Sequence, residues 1–92
     1  MQQFRTSKGE TITGEQLQAA CEKVAQWYEA NALAVRNSNS YASHVTEARK
    51  DQKLAESYDW AEKVRQGENL HNFSVWQRVN IELTGDCVAF MT

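Results

Sequence analysis

Apolar and polar residues alternate from Phe73 onward, and this period of two constrains the fold more than any other feature of the sequence. The apolar residues fall on odd positions: Phe73, Val75, Val79, Ile81 and Leu83. Such alternation is typical of a strand with one buried side and one solvent-facing side. Thr84, Gly85 and Asp86 have turn chemistry, so residues 87–91 are expected to form a returning strand. The sequence therefore predicts a β-hairpin from Phe73 to Met91.

The first third of the chain predicts a short strand followed by a long helix. Residues 2–6 would form the strand, with Phe4 pointing inward. Thr13 and Gln16 have the spacing of a capping box at a helix start. The residues that follow form an apolar stripe at helical spacing: Leu17, Cys21, Val24, Tyr28 and Val35. This stripe predicts a helix from about Gly14 to about Val35.

A second helix is predicted after the Asn- and Ser-rich stretch 36–40, with Ser40 or Ser43 as its cap and Gln66 as its end. Its apolar residues form two faces. One face carries Tyr41, Val45, Ala48 and Ala55, and the other carries Leu54, Tyr58 and Ala61. Two interpretations are open. Either the helix breaks near residue 50, or it is continuous and leaves one apolar face for a partner.

These elements predict an α+β fold. Two helices would pack on a small antiparallel sheet formed by the N-terminal strand and the C-terminal hairpin, which is the simplest layered solution for this order of elements. A length of 92 residues predicts a single domain spanning 1–92. Charged residues make up 24% and hydrophobic residues 41% of the chain, which are values of a globular protein rather than of a disordered one.

Charge and targeting signals narrow the classes of function. The net charge of −2 argues against a strongly basic nucleic-acid binder and equally against a DNA mimic, which needs dense carboxylates. The first four residues do not have the basic start of an export signal, and no apolar run approaches the length of a membrane span. Cys21 and Cys87 are expected to be free thiols in a reducing cytoplasm. No membrane partner is expected.

The sequence predicts a protein that is not an enzyme, because no pair of residues in it demands a catalytic role. His44 and His71 are the only histidines, and they have no metal-ligand spacing with the cysteines. A His71–Cys87 nucleophile pair is formally conceivable, although a cysteine in a strand is more often a small core residue. The four glycines do not form a phosphate-binding loop. We expect no metal, no cofactor and no small-molecule substrate.

Two surfaces are candidates for binding. The first combines a basic stretch with adaptable polar side chains: Arg36, Asn37, Asn39, Tyr41, Arg49, Lys50 and Lys53. The second is the solvent side of the predicted hairpin, with Trp76 and Arg78. Each has a structural alternative, because nearby carboxylates could make the basic stretch a solvated face and a loop could cover Trp76. The first surface is favoured because it adds an unexplained apolar face to its charge.

From its opening Met-Gln-Gln-Phe-Arg-Thr-Ser-Lys-Gly-Glu to its closing Gly-Asp-Cys-Val-Ala-Phe-Met-Thr, the chain resembles a small phage-encoded anti-CRISPR protein of the type I-F class in length and layout. The resemblance implies a stoichiometric inhibitor in the host cytoplasm. It would bind a guide-RNA-loaded surveillance complex and block target DNA by steric occlusion. The expected contacts are protein subunits of the complex. A further expected contact is the guide RNA, which would make this chain an RNA-binding protein. The alternative is a small nucleic-acid-binding or regulatory protein.

Overall fold

The computed structural model describes residues 3–38 and 45–85, which form a two-stranded antiparallel hairpin followed by three helices. The strands are β1 (Phe4–Arg5) and β2 (Thr11–Ile12), and Phe4 pairs with Ile12. The helices are α1 (Glu15–Asn37), α2 (Glu47–Arg65) and α3 (Phe73–Thr84). The described part of the chain is therefore mostly helical, with a sheet of two short strands.

The predicted α+β fold with a C-terminal hairpin is wrong, because Phe73–Thr84 forms helix α3. The side-chain oxygen of Asn72 caps this helix, accepting hydrogen bonds from the backbone N–H groups of Ser74 (3.0 Å) and Val75 (3.3 Å). Gly85 ends the helix in the left-handed conformation, with φ 75°. The predicted returning strand at 87–91 lies outside the described residues. Within the described residues, β1 pairs with β2. The predicted sheet, in which the N-terminal strand joins the C-terminal hairpin, is not formed by these residues.

Burial in α3 follows the helical period and not the alternation. Val75 and Val79, four residues apart, are fully buried, and so is the even-numbered Asn80. Phe73, which the alternation places inside, is 44% exposed. A stretch of this length can satisfy both periods at once, because residues four apart lie on the same side of a strand and on the same face of a helix.

Helix α1 confirms the prediction from the apolar stripe and extends it by two residues to Asn37. The capping prediction was wrong. Gly14 is the N-cap, with φ 70°, and it receives no side-chain hydrogen bond from a capping box. A positive φ is easily adopted by glycine, so the chain can turn from β2 into the helix at this point.

Helix α2 is continuous from Glu47 to Arg65, so of the two open interpretations the continuous helix is confirmed and the break near residue 50 does not occur. The hydroxyl oxygen of Thr46 caps it by accepting from the N–H of Arg49 at 3.2 Å, whereas Ser40 and Ser43 lie outside the described residues. On the face that carries Leu54, Tyr58 and Ala61, only Ala61 is buried, and Tyr58 is 39% exposed. Ala48 and Ala55, on the other face, are exposed.

The core lies between the N-terminal half of α1, the C-terminal end of α2 and α3. Its buried members are Phe4, Leu17, Ala20, Cys21, Val24, Val64, Leu70, Val75 and Val79. The N-terminal hairpin is attached to α3 by hydrogen bonds: Ser7 N–H donates to Asn80 Oδ1 at 2.8 Å, and Trp76 Nε1–H donates to the carbonyl of Arg5 at 2.9 Å. These two hydrogen bonds hold the N-terminal hairpin against α3.

Candidate functional site

The buried residues of α1 lie in its first half, and those of α2 lie in its last five residues. The buried residues of α1 all fall between Leu17 and Ala25, and those of α2 are Ala61 and Val64. Helix α3 has 12 residues and α1 has 23. At 1.5 Å per residue these lengths are about 18 Å and about 34 Å, so α3 can cover only about half of α1. The second half of α1 and the part of α2 before Ala61 form a two-helix projection that α3 does not cover.

A groove of about 420 Å³ runs between the uncovered parts of α1 and α2. The apolar side chains along it are Tyr28, Ala32 and Val35 of α1 and Leu54 and Trp60 of α2. Val35 is 42% exposed, and the other four are exposed to an intermediate degree. Two antiparallel helices with apolar side chains between them offer the shape that accepts a third helix. The groove is therefore the strongest candidate for a binding site in the described structure.

The open end of the projection is held together by Arg36. Its guanidinium donates to Glu47 Oε2 at 2.6 Å and to Asp51 Oδ1 at 3.0 Å, which joins the end of α1 to the start of α2. The hydrogen bond from Arg36 is the main cause that lowers the pKa of Glu47, and the same bonds raise the pKa of Arg36. Arg36 thus stabilises the packing of α1 on α2, and this limits its availability to a partner.

The predicted basic residues differ in how far they are already paired. Lys50 is within 3.5 Å of Glu47, and its side chain is largely covered. Arg49 is 3.5 Å from the side-chain oxygen of Gln52 and has no ion pair among the described residues. Lys53 is exposed and likewise has no ion pair there. Arg49 and Lys53 are therefore the cations of this surface that are most available to a partner.

The structure brings together only part of the first predicted surface. Arg36, Lys50 and Lys53 line the groove, whereas Arg49 does not line it. Asn37 is exposed at the end of α1. Asn39 and Tyr41 lie outside the described residues. The groove lining contains these three cations and one carboxylate, Glu56, in a chain whose net charge is −2.

The second predicted surface does not exist as a single face. Trp76 and Arg78 lie two residues apart on a helix and so point in nearly opposite directions, about 160° apart. Trp76 stacks on the rings of Phe4 and Phe73, at centroid distances of 6.2 and 5.8 Å, and is part of the packing of the N-terminal hairpin. Arg78 instead places its guanidinium carbon 3.6 Å from the ring centroid of Trp27 in α1.

A second charged cluster lies at the covered end of the helix pair. Arg65 of α2 pairs with Glu29 (2.8 Å), Glu62 (2.6 Å) and Glu22, and these hydrogen bonds raise its pKa. Glu22 and Glu29 belong to α1, so Arg65 joins the two helices as Arg36 does at the open end. The two arginines hold α1 and α2 together on either side of the groove.

Sequence reasoning missed the groove itself. Leu54 was placed on one of the two apolar faces of α2, but Ala32 was not part of the predicted stripe of α1. The available signal is the difference in length between α1, with 23 residues, and α3, with 12. That signal could not be used while Phe73–Thr84 was interpreted as a strand.

Metal binding and thiol chemistry are the other candidates within residues 3–38 and 45–85. No three His, Cys, Asp or Glu side chains are grouped there so that they could hold a metal ion. Cys21 is buried in α1, and its burial raises the pKa of the thiol. Among the helices of this part of the chain, none combines the length and the apolar character needed to cross a membrane.

Comparisons of this chain with protein-family models, with curated proteins and with solved structures find no match. The groove is therefore interpreted from its own residues. They combine apolar side chains from two helices with a mainly cationic rim, an arrangement suited to binding a protein segment.

Proposed function

We propose that this chain is a stoichiometric inhibitor that binds a guide-RNA-loaded type I-F CRISPR surveillance complex in the host cytoplasm and blocks target DNA by steric occlusion. The resemblance in sequence suggests the target. The observation that carries the binding role is the open groove between α1 and α2, where apolar side chains such as Val35 and Leu54 are left uncovered by α3. Contiguous apolar surface that the fold itself does not cover is typical of interaction sites.

The charges favour binding to protein subunits over mimicry of DNA. A DNA mimic presents free carboxylates, but Glu22, Glu29 and Glu62 are engaged by Arg65, and Glu47 and Asp51 are engaged by Arg36. An inhibitor that acts by occlusion needs only to bind one subunit specifically, near the path of the DNA. A guide-RNA contact would be made by Arg49 and Lys53, since these cations have no ion pair in the described structure.

The alternative, direct binding to bare nucleic acid, has less support. Such binding depends on several cations that neutralise phosphates together. Arg36 and Lys50 are already paired with carboxylates on α2. We therefore propose a single function.

The test is the binding of a labelled target duplex to a purified type I-F surveillance complex, measured by fluorescence anisotropy while this protein is added. We expect duplex binding to fall and to reach its minimum near an integral ratio of protein to complex. Undiminished duplex binding in the presence of excess protein would contradict the proposal. Lys53→Glu tests the rim of the groove, and Lys23→Glu is its matched control because Lys23 is also exposed but lies on α1 outside the groove.

A further inference from the structure

The length of the groove limits what can occupy it. Its apolar residues on α1 run from Tyr28 to Val35, which is two helical turns or about 10 Å. Packed helices lie about 8–10 Å apart, so the floor is roughly as wide as it is long. A stable protein dimer usually buries about 800 Å² per partner, far more than this floor provides. The groove alone therefore suits one inserted element better than a second copy of the chain.

The shape of the groove favours a helix as that element. Its two walls are antiparallel helices, and α3 shows in the other half of the molecule that a helix packs on α1. A floor two turns long accepts apolar side chains at positions i, i+3 or i+4, and i+7 of an entering helix. Val35 and Leu54, one on each wall, are placed to contact such side chains.

The charge of the rim favours acidic residues beside that apolar stripe. Three cations and one carboxylate line the groove although the chain as a whole is acidic. Two of the cations are held by Glu47 and Asp51, which do not line the groove. Lys53 lies on the rim with no ion pair among the described residues, so an incoming carboxylate next to Lys53 can pair with it. Glu56 is the one carboxylate of the lining and also has no ion pair among those residues, so the preference for acidic residues is confined to positions that face Lys53.

We infer that the groove between α1 and α2 binds one amphipathic helix of a partner protein, with acidic residues next to its apolar stripe and facing Lys53. The inference rests on the proposed function for the identity of the partner. It rests on the groove alone for the chemistry of the helix.

The chemistry can be tested without the surveillance complex. The full ¹⁵N,¹³C-labelled chain is titrated with two synthetic stapled helices of about 15 residues that share the same apolar residues and carry either Glu or Lys at the flanking positions. We expect the acidic helix to shift the resonances of Ala32, Val35 and Leu54 and to bind about fivefold more tightly than the basic one. Lys53→Glu should remove that preference, and Lys23→Glu should keep it.

Several results would overturn the inference. These are shifts confined to residues outside the groove, equal affinity for the two helices, tighter binding of the basic helix, and failure of both helices to bind. Self-association of the chain through the groove, detected by light scattering and abolished by Val35→Glu, would make a second copy the occupant and would also overturn it.

A cross-linking experiment separates this inference from the proposed function. A photo-reactive amino acid replaces Val35 in the groove or Leu33 outside it, and each variant is mixed with the surveillance complex. Cross-links from position 35 to an acidic helical segment of a subunit support both proposals. Binding with cross-links only from position 33, or from position 35 to RNA, overturns the inference and keeps the inhibitor. If the complex is not bound, the proposed function fails and the titration alone decides the inference.

Discussion

Ser7 and Asn80 are joined by a hydrogen bond of 2.8 Å from the backbone N–H of Ser7 to Oδ1 of Asn80, although 73 positions separate them in the chain. Asn80 is fully buried on α3 among the apolar residues of the core. A buried amide is stable only when its hydrogen bonds are satisfied. The turn of the N-terminal hairpin is thereby fixed to the last described helix.

Asn80→Ala is expected to lower the free energy of unfolding by about 1–3 kcal/mol, because it leaves the Ser7 N–H without its acceptor and opens space in the core. Urea denaturation followed by circular dichroism measures the change. Asn37→Ala, at an exposed position of α1, is the control and should stay within about 0.5 kcal/mol of the parent. Equal stability of the two variants would contradict the role assigned to Asn80.

Trp76→Phe is expected to cost about 1 kcal/mol, because phenylalanine keeps an aromatic ring between Phe4 and Phe73 but cannot donate to the carbonyl of Arg5. Trp27→Phe is the matched control, since Trp27 is 39% exposed and phenylalanine still offers a ring to Arg78. Thermal unfolding of both variants tests the difference. A larger loss in the Trp27 variant would show that Trp76 is not anchored as described.

The ends of α3 offer a test of its helical conformation. Asn72→Ala removes the N-cap and should lower the free energy of unfolding by about 1 kcal/mol. If residues 73–84 formed a strand instead, residue 72 would be a loop residue and the substitution would have little effect. Gly85→Ala should cost a similar amount through its positive φ and not through a clash, because an added Cβ meets nothing within 4 Å. Ser74→Ala, at an exposed helical position, is the neutral control. Carbon chemical shifts of residues 73–84 report the helix directly, and strand-like shifts would refute it.

The first two helices could be predicted because their signals are local. The stripe of α1 from Leu17 to Val35 repeats over several turns and has no competing strand pattern. In α3, the spacing of Val75 and Val79 fits both a strand and a helix. In the structure Asn72 and Gly85 cap the two ends of the helix, but the same residue types also suit the loop and turn of a hairpin.

The candidate site was predictable only in part, since its geometry depends on tertiary packing. Arg36, Lys50 and Lys53 stand out in the sequence because they cluster in a chain of low net charge. The pairing of Arg36 with Glu47 and Asp51 requires that α1 and α2 fold back on each other. The groove also depends on α3 being shorter than α1, and this difference cannot be predicted when Phe73–Thr84 is interpreted as a strand.

Acid should weaken the ion pair between Arg36 and Glu47 at the open end of the helix pair. Arg36 lowers the pKa of Glu47 below its ordinary value, so the ion pair contributes to stability above the unfolded-state pKa and is lost as the pH falls through the lowered folded-state pKa. The difference in melting temperature between the parent and Glu47→Gln should therefore be greatest near neutral pH and shrink between about pH 5 and about pH 3. Because the pair is exposed, the difference is expected to be small.

Glu56→Gln is the control for this experiment, since Glu56 lies on the same helix and has no ion pair in the described structure. Its melting temperature should follow that of the parent at each pH. A difference between the parent and Glu47→Gln that stays constant across the whole pH range would contradict the ion-pair explanation.

The most direct test of the central claim compares Val35→Glu with Leu33→Glu in the target-duplex binding assay. The two side chains have nearly equal exposure, 42% and 44%, and lie in the same turn of α1, but only Val35 lines the groove. The parent protein and Leu33→Glu should inhibit duplex binding within about twofold of each other, whereas Val35→Glu should require at least about tenfold more protein. Equal inhibition by the two variants would contradict the claim that the groove is the binding surface.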